Sequence, residues 1–463
     1  MTMLSKTKLS VGMLSLGCPK TLVDSELVLG RLNPAHYQIA QRISECDIAF
    51  VNTCTFIDSS KKESIEHILD LIDLKKTGQI KALIILGCLV QRYANDVVNE
   101  FKEVDAFLGT GEYDKIPEIV DQISKKIEPV GQESKLTTYE PFTAVGKPGF
   151  LYGADHGRVA LTPTHYRYVK ISEGCDHNCS FCTIPSFRGR HRSRPIQDIV
   201  REVTLLAEQG CKEIVLTGQD TTHYGKDFSH QFLLPELLKE LSRVDKIEWI
   251  RLLYAYPLFV NEKLICAIAD TPKVCHYLDI PLQHISDSIL KSMKRGVSKE
   301  HTVKLIRKLR SEIPDLAIRT TFIVGYPGET DKDFSELLEF IEESKFERLG
   351  VFTYSREEGT PAGDLKNQIS KSVKQKRFKQ AMSLQQTISR EFAARWIGKE
   401  LKVIVDETAE NDPELYIGRS FMDAPEIDGN VIFKSPNHPL RLGDFARVKI
   451  SHSDAYDLIG EVA

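Results

Sequence analysis

The chain has 463 residues, with 61 basic and 65 acidic side chains and a net charge of −4. With 41% hydrophobic and 27% charged residues it has the make-up of a folded globular protein, and its length suits about three domains. The near-neutral balance excludes a global basic field for nucleic acid, and no apolar run nears the ~20 residues that span a bilayer.

Residues 1–10 carry lysines but neither the apolar core nor the cleavage pattern of a secretion signal. The expectation is a cytoplasmic enzyme with no membrane partner. Residues 8–127 then alternate between strand and helix. Strands are expected at 11–16, 47–52, 82–86 and 105–108, with helices at 22–32, at 59–75, up to Phe101, and at 116–127. In the helix at 59–75, Ile65, Ile68, Leu69 and Ile72 share one face. Repeated units of this kind imply a parallel sheet with helices on its faces.

Residues 128–160 are rich in proline and glycine and read as a linker or irregular excursion. Six further strand patterns follow at 168–171, 213–216, 249–253, 276–280, 317–324 and 349–353. Helices such as 196–209, 234–242 and 299–309 lie between them. Over 161–396 this suggests a partial or complete parallel barrel, ending in a long helix at 373–396. Residues 397–463 change class, with short β patterns at 402–405, 415–418, 430–433 and 446–450 that suggest a small barrel or sandwich. The fold class is therefore α/β: an N-terminal parallel α/β domain, a central partial (β/α) barrel and a small all-β C-terminal domain. There is no internal repeat and no low-complexity tract.

Ten cysteines are too few for a disulfide scaffold of this length, so metal binding or catalysis is the better reading. The sharpest pattern is Cys175-Asp176-His177-Asn178-Cys179-Ser180-Phe181-Cys182, just past the first barrel strand. Three thiolates suit an iron–sulfur cluster with one iron left open. A structural zinc would need a fourth ligand such as His177 or His191, but zinc cysteines usually come as two CxxC knuckles. A second set is spread out: Leu16-Gly17-Cys18, Asn52-Thr53-Cys54 and Leu86-Gly87-Cys88. Each follows a strand, and in a parallel sheet such ends share the edge where ligands bind. One cysteine in such a place reads as a small buried residue; three in successive units read as a converging triad. Cys46, Cys211, Cys266 and Cys275 share no spacing and read as packing residues. His177, His223 and His284 are acid–base candidates by position alone, and none is singled out as catalytic.

Charge is uneven. Arg188, Arg190, Arg192, Arg194 and Arg201 face only Asp198 between 183 and 201, and offer bidentate contacts to a cofactor or substrate carboxylate. Residues 371–402 hold nine basic and two acidic side chains and read as a solvated helix face. Residues 397–463 hold seven basic and thirteen acidic side chains, which complements a basic protein partner better than RNA.

With these motifs the chain resembles the radical S-adenosylmethionine enzymes, and with the second cysteine set it resembles their methylthiotransferases. The resemblance covers nearly the whole chain and implies two [4Fe-4S] clusters and S-adenosyl-L-methionine. Cys175, Cys179 and Cys182 would hold the radical cluster, and Cys18, Cys54 and Cys88 an auxiliary cluster that binds the sulfur to be transferred. It further implies that Phe181 lies near the adenine, Gly218 and Gln219 near the cofactor's amino group, and Gly325 near further adenine contacts. The C-terminal domain looks TRAM-like.

Cys18-Pro19-Lys20-Thr21, Glu173-Gly174-Cys175-Asp176-His177, Tyr254-Ala255-Tyr256-Pro257, Pro281-Leu282-Gln283-His284 and Ala424-Pro425-Glu426-Ile427-Asp428-Gly429 look like the RimO branch. Members of that branch usually carry Asn where Thr21 stands. The implied substrate is an aspartate of a small-subunit ribosomal protein of the uS12 family, free or on the ribosome, modified at its β-carbon. An electron donor protein and a sulfur source are implied as partners. A transfer-RNA methylthiotransferase, acting on a modified adenosine beside the anticodon, would share the chemistry. A non-catalytic iron–sulfur or zinc protein that binds ribosomes would have no need of the pocket at Gln219 and Gly325.

Overall fold

The computed structural model describes residues 8–127 and 140–463. The expectations for residues 1–7, and for 128–139 of the expected linker, lie outside the described residues. The chain divides into two compact units. One comprises the residues up to Leu161 together with Glu173–His177 and Cys182–Arg192; the other comprises Thr162–Ser172, Asn178–Phe181 and Ser193–Ala463.

The first unit is a six-stranded parallel sheet. Its strands are β1 (Leu9–Ser15), β2 (Tyr37–Ile39), β3 (Ile48–Thr53), β4 (Ala82–Gly87), β5 (Ala106–Leu108) and β6 (Phe142–Ala144), in the order β2-β1-β3-β4-β5-β6. Helices α1 (Pro19–Gly30), α2 (Asp58–Lys76), α3 (Cys88–Glu100) and α4 (Ile116–Ile127) connect them. β3 and β4 are buried at every residue, as parallel strands covered on both faces must be. Ile48, Phe50 and Ile84 enter one apolar core, while Ala49, Val51 and Ile85 enter the other. The short edge strand β6 lies inside the stretch expected to be a linker, where it pairs with β5.

Helix α2 corrects a second expectation. It buries Ser64, Ile68, Leu71 and Ile72, whereas Ile65 and Leu69 are 38% and 48% exposed. Ser64 is one anchor of this rotation: its hydroxyl accepts the Cys54 N–H at 3.1 Å and donates to the Cys54 carbonyl at 3.0 Å.

The second unit holds an open six-stranded parallel sheet. Its strands are β7 (Tyr166–Lys170), β8 (Glu213–Thr217), β9 (Trp249–Leu252), β10 (Val274–Asp279), β11 (Ala317–Val324) and β12 (Arg348–Thr353), each paired with the next. This is the partial form of the expected barrel. A closed barrel follows: β13 (Glu400–Thr408), β14 (Leu415–Ser420), β15 (Val431–Lys434), β16 (Phe445–Ser453) and β17 (Leu458–Val462). Only the last of these five strands was not expected.

The loop after β14 packs against residues of the open sheet. Arg251 of β9, fully buried, binds Glu213 at 2.7 Å and the carbonyl of Phe421 at 2.6 Å. Arg348 pairs with Asp423, and the Tyr277 hydroxyl donates to Asp428 at 2.7 Å. Glu213 and Arg348 begin β8 and β12, so the small barrel covers the end of the sheet opposite the C-terminal strand edge.

Candidate iron–sulfur and cofactor site

In the first unit, β1 connects to β2 on one side of it, while its other neighbour β3 connects to β4 on the opposite side. That is the topological switch point, where open α/β sheets bind ligands beyond the strand ends. Cys18 follows β1, Cys54 follows β3 and Cys88 follows β4. Gly17 and Gly87 turn the chain between strand and cysteine at φ of +95° and +102°, values that favour glycine. A Cβ at Gly17 would meet Cys54 Cβ at 2.8 Å, and one at Gly87 would meet Asn52 Oδ1 at 2.3 Å. The two glycines thus bring the cysteine-bearing loops into close approach.

Cys18 caps α1 and Cys88 opens α3, so both thiols sit where a helix dipole favours negative charge. The Thr21 hydroxyl accepts the Cys18 N–H at 2.9 Å and donates to the Cys18 carbonyl at 2.6 Å. Burial works to raise the Cys18 thiol, but Lys20, hydrogen bonds from Thr21 and Arg188 outweigh it and hold the thiol below its usual range. Burial pushes Cys54 up, with Cys18 adding to the effect. Burial also pushes Cys88 up to about 12, against the opposing charge of Arg188 and with Cys54 and Cys18 adding. The three thiols therefore feel one another's charge.

Arg188 ends α5 (Ile184–Arg188) and is 4% exposed. It donates to Asp24 at 2.7 Å, to Glu173 at 3.4 Å and to the Cys88 sulfur at 3.1 Å. The Tyr113 hydroxyl donates to Asp24 at 3.4 Å.

The division between the units runs through the CxxxCxxC loop: Cys175 and Cys182 belong to the first, Cys179 to the second. Cys175 donates its N–H to Gly189 at 3.1 Å. Cys179 Sγ accepts from Arg295 at 3.5 Å. Arg295 also donates to the Pro281 carbonyl at 2.6 Å and lies over the Tyr256 ring at 4.2 Å. Residues of the Tyr254–Pro257 and Pro281–His284 motifs thus meet at one guanidinium.

Gly218 follows β8, and a Cβ there would meet Ser172 Oγ at 2.7 Å. The hydroxyls of Ser172 and Thr217 are buried and have no hydrogen-bond partner. Gln219 is half-buried just beyond them. Phe181 and Ile323 pack on a small apolar cluster that includes Met293, Tyr326 and Tyr354. Gly325 turns the chain after β11 at φ +72°, and a Cβ there would meet the Lys374 side chain at 2.3 Å. The structure thus gathers Phe181 with the Ile323–Glu329 turn, and Gly218 with two unsatisfied hydroxyls.

Among the described residues no group of three or more His, Cys, Asp or Glu is arranged to hold a metal ion. That arrangement belongs to a single ion, which draws its ligands to ~2.0–2.3 Å; a four-iron cube keeps its thiolates further apart. All ten cysteines are free thiols. The donor chemistry, three thiols at one sheet edge and three in one loop, fits thiolate-bound clusters. The unsatisfied hydroxyls under Gly218 fit a polar cofactor.

Residues 169–341 match the radical SAM superfamily, residues 10–109 the uncharacterized protein family UPF0004, and residues 397–463 the TRAM domain. The chain is similar to the ribosomal protein uS12 methylthiotransferase RimO of Desulforamulus reducens, with 47% identity over 98% of this chain and 99% of the relative. It is 46% identical to RimO of Geobacter sulfurreducens over 99% of this chain and all of that one. The chain belongs to the RimO family of methylthiotransferases. Members of the family are radical S-adenosylmethionine transferases. Among solved structures, the radical S-adenosylmethionine methyltransferase TsrM from Kitasatospora setae, with cobalamin and a [4Fe-4S] cluster bound, shares the fold at a TM-score of 0.53. Identity there is 15%, over 77% of each chain.

Within this RimO-family chain several sequence expectations need correction. Arg194 is fully buried and bound to Asp198 and Glu202, and Arg188 is bound as above, so neither is available to a carboxylate of cofactor or substrate. Arg192 donates to the carbonyls of Arg190 and Arg188. Arg190 and Arg201 have exposed side chains at 3.4 Å from Asp176 and Asp198. Cys266 is exposed and not a packing residue, unlike Cys46, Cys211 and Cys275. His284 is fully buried and His223 packs against Phe232 and Phe259.

The acidic surplus of residues 397–463 is in part internal. Asp406, Asp423, Asp428 and Asp444 pair with Arg419, Arg348, Arg319 and Lys212. These pairs weaken the charge argument for a basic partner. Sequence reasoning also missed Arg188 and Arg295 as thiol partners. The only signal for them was a run of arginines after Cys182 and a single arginine in 287–298.

Proposed function

We propose that this chain adds a methylthio group to the β-carbon of an aspartate in ribosomal protein uS12, using S-adenosyl-L-methionine and two [4Fe-4S] clusters. The observation that carries the reading is the gathering of Cys18, Cys54 and Cys88 at the switch-point edge, in a chain that aligns over nearly its full length with uS12 methylthiotransferases. Residues 8–127 form the auxiliary-cluster domain, 161–396 the radical domain and 397–463 the TRAM-like domain. When bound, a reduced cluster with S-adenosyl-L-methionine supplies the one-electron chemistry that opens an unactivated C–H bond, and a second cluster carries the sulfur.

The chain's own residues do the rest. Cys175, Cys179 and Cys182 hold one cluster, and Arg295 with Tyr256 fixes the Cys179 side chain. Cys18, Cys54 and Cys88 hold the other; Cys18 and Cys88 are placed by the helices they begin, and the Cys54 backbone is held by Ser64. Ser172, Thr217 and the Gly218–Gln219 backbone receive the polar end of the cofactor, and Phe181 beside the Gly325 turn receives its adenine. The reaction takes place in the cytoplasm, where thiols stay reduced, with an electron donor protein and a sulfur source as partners. No helix among the described residues is long and apolar enough to cross a membrane.

Two variants test the assignment of clusters to triads. Cys179→Ala abolishes reductive cleavage of S-adenosyl-L-methionine. Cys54→Ala retains cleavage but forms no methylthiolated product. Product formation by Cys54→Ala would contradict the two-cluster assignment.

A further inference from the structure

We infer that Arg188 is a positioning residue for the N-terminal cysteine triad, holding the Cys88 sulfur and making the group bound there easier to reduce. The inference rests on the reading of Cys88 as a cluster ligand.

Arg188 is supplied from outside the segment that carries the triad, shortly after Cys182 in sequence. Its guanidinium is 4% exposed and is shared between two kinds of partner. Nη1 meets Asp24 at 2.7 Å and Glu173 at 3.4 Å, while Nη2 meets Cys88 Sγ at 3.1 Å. Asp24 is itself fully buried and receives the Tyr113 hydroxyl. The carboxylates thus fix one edge of the planar fork and aim the other at sulfur. A lysine ammonium has no such fixed geometry.

A neutral thiol is a weak acceptor, and a buried cation directed at it gains little. A thiolate is the stronger acceptor for a charged donor. The placement of Arg188 therefore suits a Cys88 that carries negative charge, as a ligand does. A positive charge and a hydrogen bond at a ligand sulfur favour the state with the extra electron, and both are known determinants of cluster potential. Neither Cys18 nor Cys54 has a charged hydrogen-bond donor of this kind among the described contacts, so the hydrogen bond falls on one corner of the triad while the charge of Arg188 reaches all three sulfurs.

The test uses the full-length chain with Cys175, Cys179 and Cys182 replaced by alanine, reconstituted anaerobically so that only the N-terminal triad is loaded. Iron content, the electron paramagnetic resonance spectrum of the reduced state and its midpoint potential are measured. The same measurements follow in R188K and in R188M/D24N, which removes the guanidinium together with its closest carboxylate and so avoids a bare buried charge at Asp24. Both variants are expected to bind iron, with the potential displaced to more negative values and the spectrum altered, and R188K the less affected. An unchanged potential and spectrum in R188M/D24N, or in R188K should the double variant not fold, overturns the inference. A parent protein that binds no iron overturns the cluster reading itself, and the inference with it.

Discussion

Gly87 stands at φ +102°, ψ −153°, a combination open to little but glycine. It sits between a fully buried strand and the helix that Cys88 begins. A methyl group there would lie 2.3 Å from Asn52 Oδ1 and 2.8 Å from the Thr53 carbonyl. Backbone strain alone costs about 1–3 kcal/mol, and the clash adds to it. Gly87→Ala is therefore expected to destabilise the first unit by about 3 kcal/mol and to lose iron from the N-terminal triad. Gly78, at φ +76° with nothing within 4 Å of a Cβ, is the control: alanine there costs only about 1 kcal/mol. Urea unfolding and iron analysis of the two variants check this, and equal costs would contradict it. The repeated Leu-Gly-Cys was legible in the sequence because turn, glycine and thiol are neighbours. The contact of Arg188 with Cys88 was not, because 100 residues separate them and no local pattern encodes the pairing.

At the level of elements, long periodic segments were legible and short or rotated ones were not. Helix α4 begins and ends where its apolar period predicts. Strands β2, β5 and β6 have three residues each, too few for alternation to be read, and only β5 was foreseen. Helix α2 turned a serine inward because its hydroxyl satisfies both the N–H and the carbonyl of Cys54, which hydrophobicity alone does not register.

The segment after β10 holds a pH-dependent element. His284 is fully buried, and its Nδ1 accepts the Ser286 N–H at 3.0 Å. Burial lowers its pKa to about 4 from the usual 6.5, against the opposing charge of Asp333 and with a smaller lowering by Arg377. The folded protein therefore resists a proton that the unfolded chain accepts. This contribution is intact above pH 6.5, declines as pH falls, and levels off once pH passes below about 4, with a total of about 3 kcal/mol. His284→Asn, which keeps an acceptor for Ser286, is expected to show a flatter fall in unfolding free energy between pH 6.5 and 4. An identical pH slope in the two proteins would contradict the assignment.

At the scale of the whole molecule, the near-zero net charge hid the distribution that matters. Basic side chains cluster after Cys182 and along the helix Lys371–Ala394, and acidic ones in the C-terminal barrel. The structure shows that Asp423 and Asp428 join that barrel to the open sheet, so net charge over a segment overstated what a partner would meet. The cysteine patterns and the full-length family relationship carry the functional reading, and charge adds less than the sequence suggested. The most direct measurement is mass spectrometry of small-subunit ribosomal proteins, and of transfer-RNA nucleosides, from cells with and without this chain. The account predicts one added methylthio group on a uS12 aspartate that disappears with the chain, and unaltered nucleosides. Unmodified uS12 together with loss of a methylthio nucleoside would contradict it.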